Sequence, residues 1–250
     1  MGGWGSSGAP SGGSGGSGGA ATLNALTVYV VGDSTVQTYT NSPIRQAGWG
    51  QFLQKYFDPR AKVENRAIGG RTARRFIDEG RLDSLLAAIK PGDYLLIQFG
   101  TNDANPTATY ALNGQTIPYY LNPATDFKVW ITRYITGARD RSANPVLVTP
   151  PPRRSCTGDS HDFGNGLAAY ATSMKEMGAA QNVPVVDLNK ATLDHLNQIG
   201  CVAAGRDFFL VRADGTVDGT HFQEKGADIM AGFVALGVRT SNTALSSYVP

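Results

Sequence analysis

The chain has 250 residues, a net charge of +2, 41% hydrophobic and 17% charged residues. That is the balance of an ordinary globular protein, and so small a charge gives no reason to expect the broad basic surface by which proteins grip nucleic acid. No apolar run approaches the roughly 18 residues of a membrane span, and the first residues lack the charged and apolar regions of a signal peptide, so an exported form is expected to have lost its leader or to carry it upstream.

Residues 1–22 are mostly Gly, Ser and Ala. Such a stretch cannot bury enough apolar surface to offset its ordering entropy, so it reads as a flexible tether, natural or added, suited to joining a neighbouring domain. Residues 23–250 read as one domain with a sizeable core.

Val28-Tyr29-Val30-Val31 is a run of β-formers ending at Gly32-Asp33-Ser34 and predicts a buried strand. The apolar spacing of Trp49, Phe52, Leu53, Tyr56 and Phe57 predicts a helix that Asp58-Pro59 ends. A short strand at 62–65 leads to Gly69-Gly70-Arg71, and Leu82, Leu85, Leu86 and Ile89 mark a helix closed by Pro91-Gly92. A strand over 94–99 runs into Gly100-Thr101-Asn102-Asp103. Helix then precedes strand twice more, at 127–138 with 146–149 and at 166–180 with 185–187; the last helix is expected from about Gln223 to Leu236. Alternating strands and helices imply a parallel sheet covered on both faces, an α/β fold with α/β/α layers.

In such sheets reactive groups gather past the carboxyl ends of strands. Ser34 stands there, and a serine nucleophile needs a base, a group to orient the base, and donors for the oxyanion. Only three histidines exist. His195 falls on an apolar-striped helix with Leu193, Leu196 and Ile199 and reads as a helix-surface residue; His161 falls in a polar loop. His221 sits in a Gly- and Asp-rich loop with Asp218 three residues before it, and in a turn residues so spaced can face each other. The bland alternative is a plain turn and a helix cap. Gly70 offers a backbone N–H open to close approach, and the Asn102 amide offers uncharged donors. A second Gly-Asp-Ser at 158–160 has no strand before it and reads as loop, so strand context selects Ser34. No Gly-x-Ser-x-Gly elbow surrounds Ser34, and no Walker or Rossmann glycine pattern occurs.

Cys156 and Cys201 are the only cysteines; a disulfide and two unpaired buried thiols both fit their separation, and their spacing does not suggest zinc. Arg71, Arg74, Arg75, Arg153 and Arg154 are either surface arginines or contacts for a substrate carboxylate. Tyr110, Tyr119 and Tyr120 either form a sugar-stacking wall or pack their loop against the body.

Together, the blocks at 32–34, 70, 100–103 and 218–221 resemble the four blocks of the SGNH (GDSL) hydrolases, over about Thr27 to Ala235. Gly32-Asp33-Ser34-Thr35-Val36, Gly48-Trp49-Gly50-Gln51, the run 65–74 and Asp218-Gly219-Thr220-His221-Phe222 are similar to the rhamnogalacturonan acetylesterase group. The resemblance implies a flavodoxin-like fold, Ser34 as nucleophile, His221 as base and Asp218 as its orienting acid. It implies an oxyanion hole of the Ser34 N–H, the Gly70 N–H and the Asn102 side chain, with Asp33 and Asp103 structural. Independently of the resemblance, Arg71, just after the oxyanion glycine, is the arginine expected to contact a substrate carboxylate. The resemblance further implies a secreted esterase that needs no metal or cofactor and removes acetyl groups from pectin, with an acetylated polysaccharide or oligosaccharide as its partner and neither nucleic acid nor membrane. The alternatives are an acetyl xylan esterase, a short-chain esterase, lipase or thioesterase with the same triad, and, from a different class, a non-catalytic carbohydrate-binding module.

Overall fold

The computed structural model describes residues 1–3 and 23–250. The tether expected over residues 1–22 therefore lies, apart from its first three residues, outside the described residues.

In chain order the strands are β1 (Leu26–Val31), β2 (Gln46–Ala47), β3 (Ala61–Asn65), β4 (Tyr94–Ile97), β5 (Thr109–Leu112), β6 (Gln115–Pro118), β7 (Asn144–Val148), β8 (Val185–Val186), β9 (Phe209–Val211) and β10 (Val217–Gln223). The helices are α1 (Ala73–Asp78), α2 (Arg81–Ala88), α3 (Asp126–Asp140), α4 (Ala168–Gln181), α5 (Leu188–Asp207) and α6 (Glu224–Arg239). Five strands form a parallel sheet in the order β3-β1-β4-β7-β8. Counting only these strands along the chain, the order is 2-1-3-4-5, the flavodoxin-like arrangement, and β1 with its two neighbours forms the switch point where such folds place their sites.

The pleat explains the layers. Val28 and Val30 of β1, Leu96 of β4, and Val146 and Val148 of β7 face one core, closed by α5, α6, Trp49, Leu53 and Phe57. Their alternates Tyr29, Val31, Leu95, Ile97 and Leu147 face the other, closed by α1 to α4 through residues such as Phe76, Leu85, Ile131, Tyr134 and Met174. The central strands are thus apolar on both sides, as a sheet buried between two helix layers requires.

Three features depart from the sequence reading. The segment expected as a helix over 49–57 is two 3-10 turns, Trp49–Gln51 and Leu53–Tyr56. Its first backbone N–H groups are taken by the loop after β1: Gly48, Trp49 and Gly50 donate to the carbonyls of Gln37, Thr35 and Val36 at 3.1, 3.0 and 3.1 Å. A Cβ at Gly48 would lie 2.4 Å from the Val36 carbonyl carbon, and one at Gly50 2.5 Å from the Asn65 amide nitrogen, so only glycine permits this approach. Second, β2, β10 and β9 build a small antiparallel sheet, and β5 pairs with β6 in a hairpin after Asn102. Third, α5 runs past Ile199 to Asp207 but breaks at Gly200, which takes φ 79°.

That break places Cys201 next to the loop after β7, and Cys156 and Cys201 form a disulfide with a Cα separation of 5.8 Å. The link closes a loop of 45 residues. In the chain-entropy picture it stabilises the fold by about 4 kcal/mol. Within the loop, the second Gly-Asp-Ser is irregular backbone, as expected.

Candidate active site

Three loops leave the carboxyl ends of β3, β1 and β4 and meet at one point. The β1 loop makes a tight turn in which Val36 and Gln37 donate to the Asp33 carbonyl, both at 3.1 Å. Below it, the buried Asp33 carboxylate accepts from the Thr35 N–H at 2.9 Å and the Thr35 hydroxyl at 2.7 Å. Gln98 donates to the Thr35 hydroxyl at 3.0 Å and accepts from the Trp49 indole at 2.7 Å. This buried chain of polar groups fixes Ser34 on the core. Tyr39 donates its hydroxyl to the Ser34 carbonyl at 3.0 Å, and burial pushes that phenol up to about 12.

The β3 loop is drawn against Ser34. The Gly69 N–H donates to the Gln37 side chain, and a Cβ at Gly69 would lie 3.4 Å from the Ser34 Cβ. Gly70 takes φ 74°, the left-handed region that glycine enters freely. The β4 loop joins through Asn102, whose amide donates to the Arg71 carbonyl at 3.0 Å, and through Asp103, which accepts from Ala73 N–H at 2.8 Å and Gly100 N–H at 2.9 Å. Burial pushes the Asp103 carboxyl up to about 7, against the pull of those two donors. Asp33 and Asp103 are thus structural hydrogen-bonding groups, each locking the loop that bears its neighbour.

Asp218 and His221 lie on β10, not in a loop. In a regular strand, residues three apart point to opposite faces. Here the register slips between Val217 and Phe222, and the Asp218 Oδ1 takes up the N–H groups of Thr220 at 2.7 Å and His221 at 2.9 Å. The bulge turns both side chains the same way. His221 Nδ1 lies 3.1 Å from Asp218 Oδ2, and its Nε2 lies 3.1 Å from Ser34 Oγ. Burial raises the Asp218 carboxyl, but the backbone donors of His221 and Thr220 and the imidazole outweigh it and hold the group well below the ordinary carboxylate range. Asp218 therefore stays ionised and keeps the Nδ1 proton on its side, leaving Nε2 to accept from the Ser34 hydroxyl.

The Ser34 and Gly70 N–H groups find no acceptor among the described residues, and one N–H of the Asn102 amide is uncommitted. The site can pass a proton from Ser34 Oγ to His221 and offers donors beside the oxygen.

The other sequence candidates fall into place around this centre. His195 is half-buried against Phe208 and Phe233 rather than on the helix surface. His161 caps the break at Gly200, its Nδ1–H donating to the Asn197 carbonyl at 2.8 Å, and makes no bond to Ser34. Arg71 donates Nη1 to the Gly69 carbonyl at 2.8 Å and pairs through Nε with Glu79 at 3.0 Å. Tyr110 is buried with its hydroxyl on Asp78, and Tyr119 reaches Arg75, so these two pack the hairpin onto α1; Tyr120 is exposed. Sequence reasoning missed Arg212, whose Nη2 donates to Asp218 Oδ2 at 2.9 Å. The signal was Asp214-Gly215, a hairpin turn that folds β9 back on β10 and brings Arg212 beside Asp218.

The GDSL-like Lipase/Acylhydrolase family matches residues 30–229. The chain is 37% identical over 222 residues to the probable rhamnogalacturonan acetylesterase YesY of Bacillus subtilis (strain 168), covering 89% of this chain and 96% of that protein. It is 33% identical to rhamnogalacturonan acetylesterase RhgT of the same organism, covering 89% of this chain and 93% of RhgT. The solved structure of YxiM, also from Bacillus subtilis, superposes with a TM-score of 0.73 at 30% identity; the match covers 89% of this chain and spans 58% of that one. The chain therefore belongs to the GDSL-like lipase/acylhydrolase (SGNH hydrolase) family and is a carboxylic ester hydrolase.

Proposed function

We propose that this chain is a serine esterase that removes acetyl groups from rhamnogalacturonan, a pectic polysaccharide. The observation that carries the reading is the continuous relay from Ser34 Oγ through His221 to Asp218, with two free N–H groups and the Asn102 amide beside it. His221 takes the Ser34 proton as Oγ attacks the acetyl carbonyl. The negative oxygen of the tetrahedral intermediate accepts from the Ser34 N–H, the Gly70 N–H and the Asn102 side chain. His221 then protonates the departing sugar hydroxyl, and the acetyl group stays on Ser34. Water, deprotonated by the same imidazole, attacks this ester and releases acetate.

Two relatives named for rhamnogalacturonan deacetylation support the substrate. The disulfide supports a secreted setting, since such links persist in oxidising compartments. In that setting residues 1–22 serve as the tether to a neighbouring domain.

Acetate release from acetylated rhamnogalacturonan, acetylated xylan and p-nitrophenyl esters of rising chain length tests the reading. The pectic polymer is expected to react fastest and rates to fall beyond short acyl chains. Preference for xylan or for long acyl groups would replace the substrate. Within the same assay, Asn102→Ala is expected to lower kcat by roughly 10²–10³-fold with a smaller change in KM, because its donor acts on charge that develops after binding.

A further inference from the structure

The arginines around the site differ in one respect. Arg71 and Arg75 share Glu79, Arg74 pairs with Asp78, and Arg212 holds Asp218. Arg153, half-buried on the segment after β7, has no carboxylate partner among the described residues. Its Nη2 donates to the Thr101 carbonyl at 2.7 Å, while its Nε is buried without an acceptor.

This side chain is anchored at its tip, while the backbone that bears it is held separately. Thr101 directly precedes Asn102, so the Nη2 bond ties Arg153 to the turn bearing the amide donor. Next to it in the chain, the Arg154 N–H donates to the carbonyl of Gly219, between Asp218 and His221, at 2.8 Å. The Arg154 side chain also lacks a carboxylate partner among the described residues and has a buried Nε, but its Nη2 lies on the disulfide, 3.0 Å from Cys201 Sγ, rather than on the Asn102 turn. Arg153 therefore stands between the Asn102 turn and the strand of the Asp218–His221 pair.

A guanidinium held by one neutral carbonyl keeps its whole charge, and taking part of it from water without an anion is unfavourable. Its planar fork suits a carboxylate. We propose that Arg153 binds a carboxylate of the substrate, that of a uronic acid residue of the polysaccharide chain. The assignment of a uronate rests on the rhamnogalacturonan reading given above.

The test uses p-nitrophenyl acetate turnover by the wild type, Arg153→Gln and Arg153→Lys, inhibited by unacetylated oligogalacturonate or by its methyl ester. The readout is the ratio of the two inhibition constants, which cancels any effect of the substitution on turnover. The wild type is expected to bind the free acid about ten-fold or more tightly than the ester. Arg153→Gln should bring the two within about two-fold, and Arg153→Lys should fall between. Equal inhibition of the wild type by acid and ester, or a ratio unchanged in Arg153→Gln even as turnover falls, overturns the proposal, the latter leaving Arg153 as a brace for the Thr101–Asn102 turn. Sodium acetate serves as a third inhibitor: binding as strong as that of the oligogalacturonate would make this a product site and overturn the uronate assignment. A wild type that turns over p-nitrophenyl acetate but releases no acetate from the polymer refutes the rhamnogalacturonan reading, while the inhibition ratio still decides Arg153.

Discussion

Ser34→Ala is expected to lower kcat for acetate release by on the order of 10⁶-fold, with little change in the thermal unfolding midpoint. The serine is nearly covered by the protein, its Oγ lies 3.1 Å from His221 Nε2, and among the described residues no other hydroxyl bonds to that imidazole. Its loop is held by Asp33, Thr35, Gln98 and Trp49, none of which uses the Ser34 hydroxyl. The substitution thus removes the attacking oxygen and leaves the fold intact. A residual rate of about 10³–10⁴ over the uncatalysed reaction is expected from the surviving N–H donors. Initial rates of acetate release by purified protein, set beside unfolding curves, check this. A Ser34→Ala variant near the wild-type rate would falsify the assignment of Ser34 as nucleophile.

Asp218→Asn is expected to lower kcat by about 10⁴-fold. The geometry fixes which way the new amide turns. Oδ1 of Asp218 accepts two backbone N–H groups, so an amide nitrogen placed there would set donor against donor. The –NH₂ must then occupy the Oδ2 position, facing His221 Nδ1 and the Arg212 guanidinium. It donates to Nδ1 and moves the imidazole proton to Nε2, where it points at Ser34 Oγ. An imidazole in that tautomer cannot take the serine proton. The amide also loses its ion pair with Arg212, so some loss of thermal stability should accompany the loss of rate. Steady-state rates at neutral pH test the point, and activity within ten-fold of wild type would show that Asp218 does not orient His221.

Much of the fold was legible because its central strands carry the information in their own composition. Val28–Val31, Tyr94–Ile97 and Val146–Val148 are apolar on both faces, and only a sheet buried between helix layers accommodates that. The helix expected at Trp49 was not legible in the same way. Its apolar spacing fits a helix, yet its N–H groups are drawn to the carbonyls of residues 35–37, a competition that a local pattern cannot reveal. The kink of α5 at Gly200 is similar, since only the docking of His161 and Cys201 gives it a reason.

By itself the sequence determined the strand that carries Ser34, the parallel α/β class and the four blocks from which the site is built. These are local properties, set by side-chain type and spacing. The tertiary structure decided what those blocks do to one another: the bulge in β10 that turns Asp218 and His221 to one side, the disulfide left open by the sequence, and the ion pairs that neutralise Arg71, Arg74 and Arg75. It also decided that Arg153 has no such partner. Distances between residues far apart in the chain follow from how the layers pack, and no spacing along the sequence encodes them.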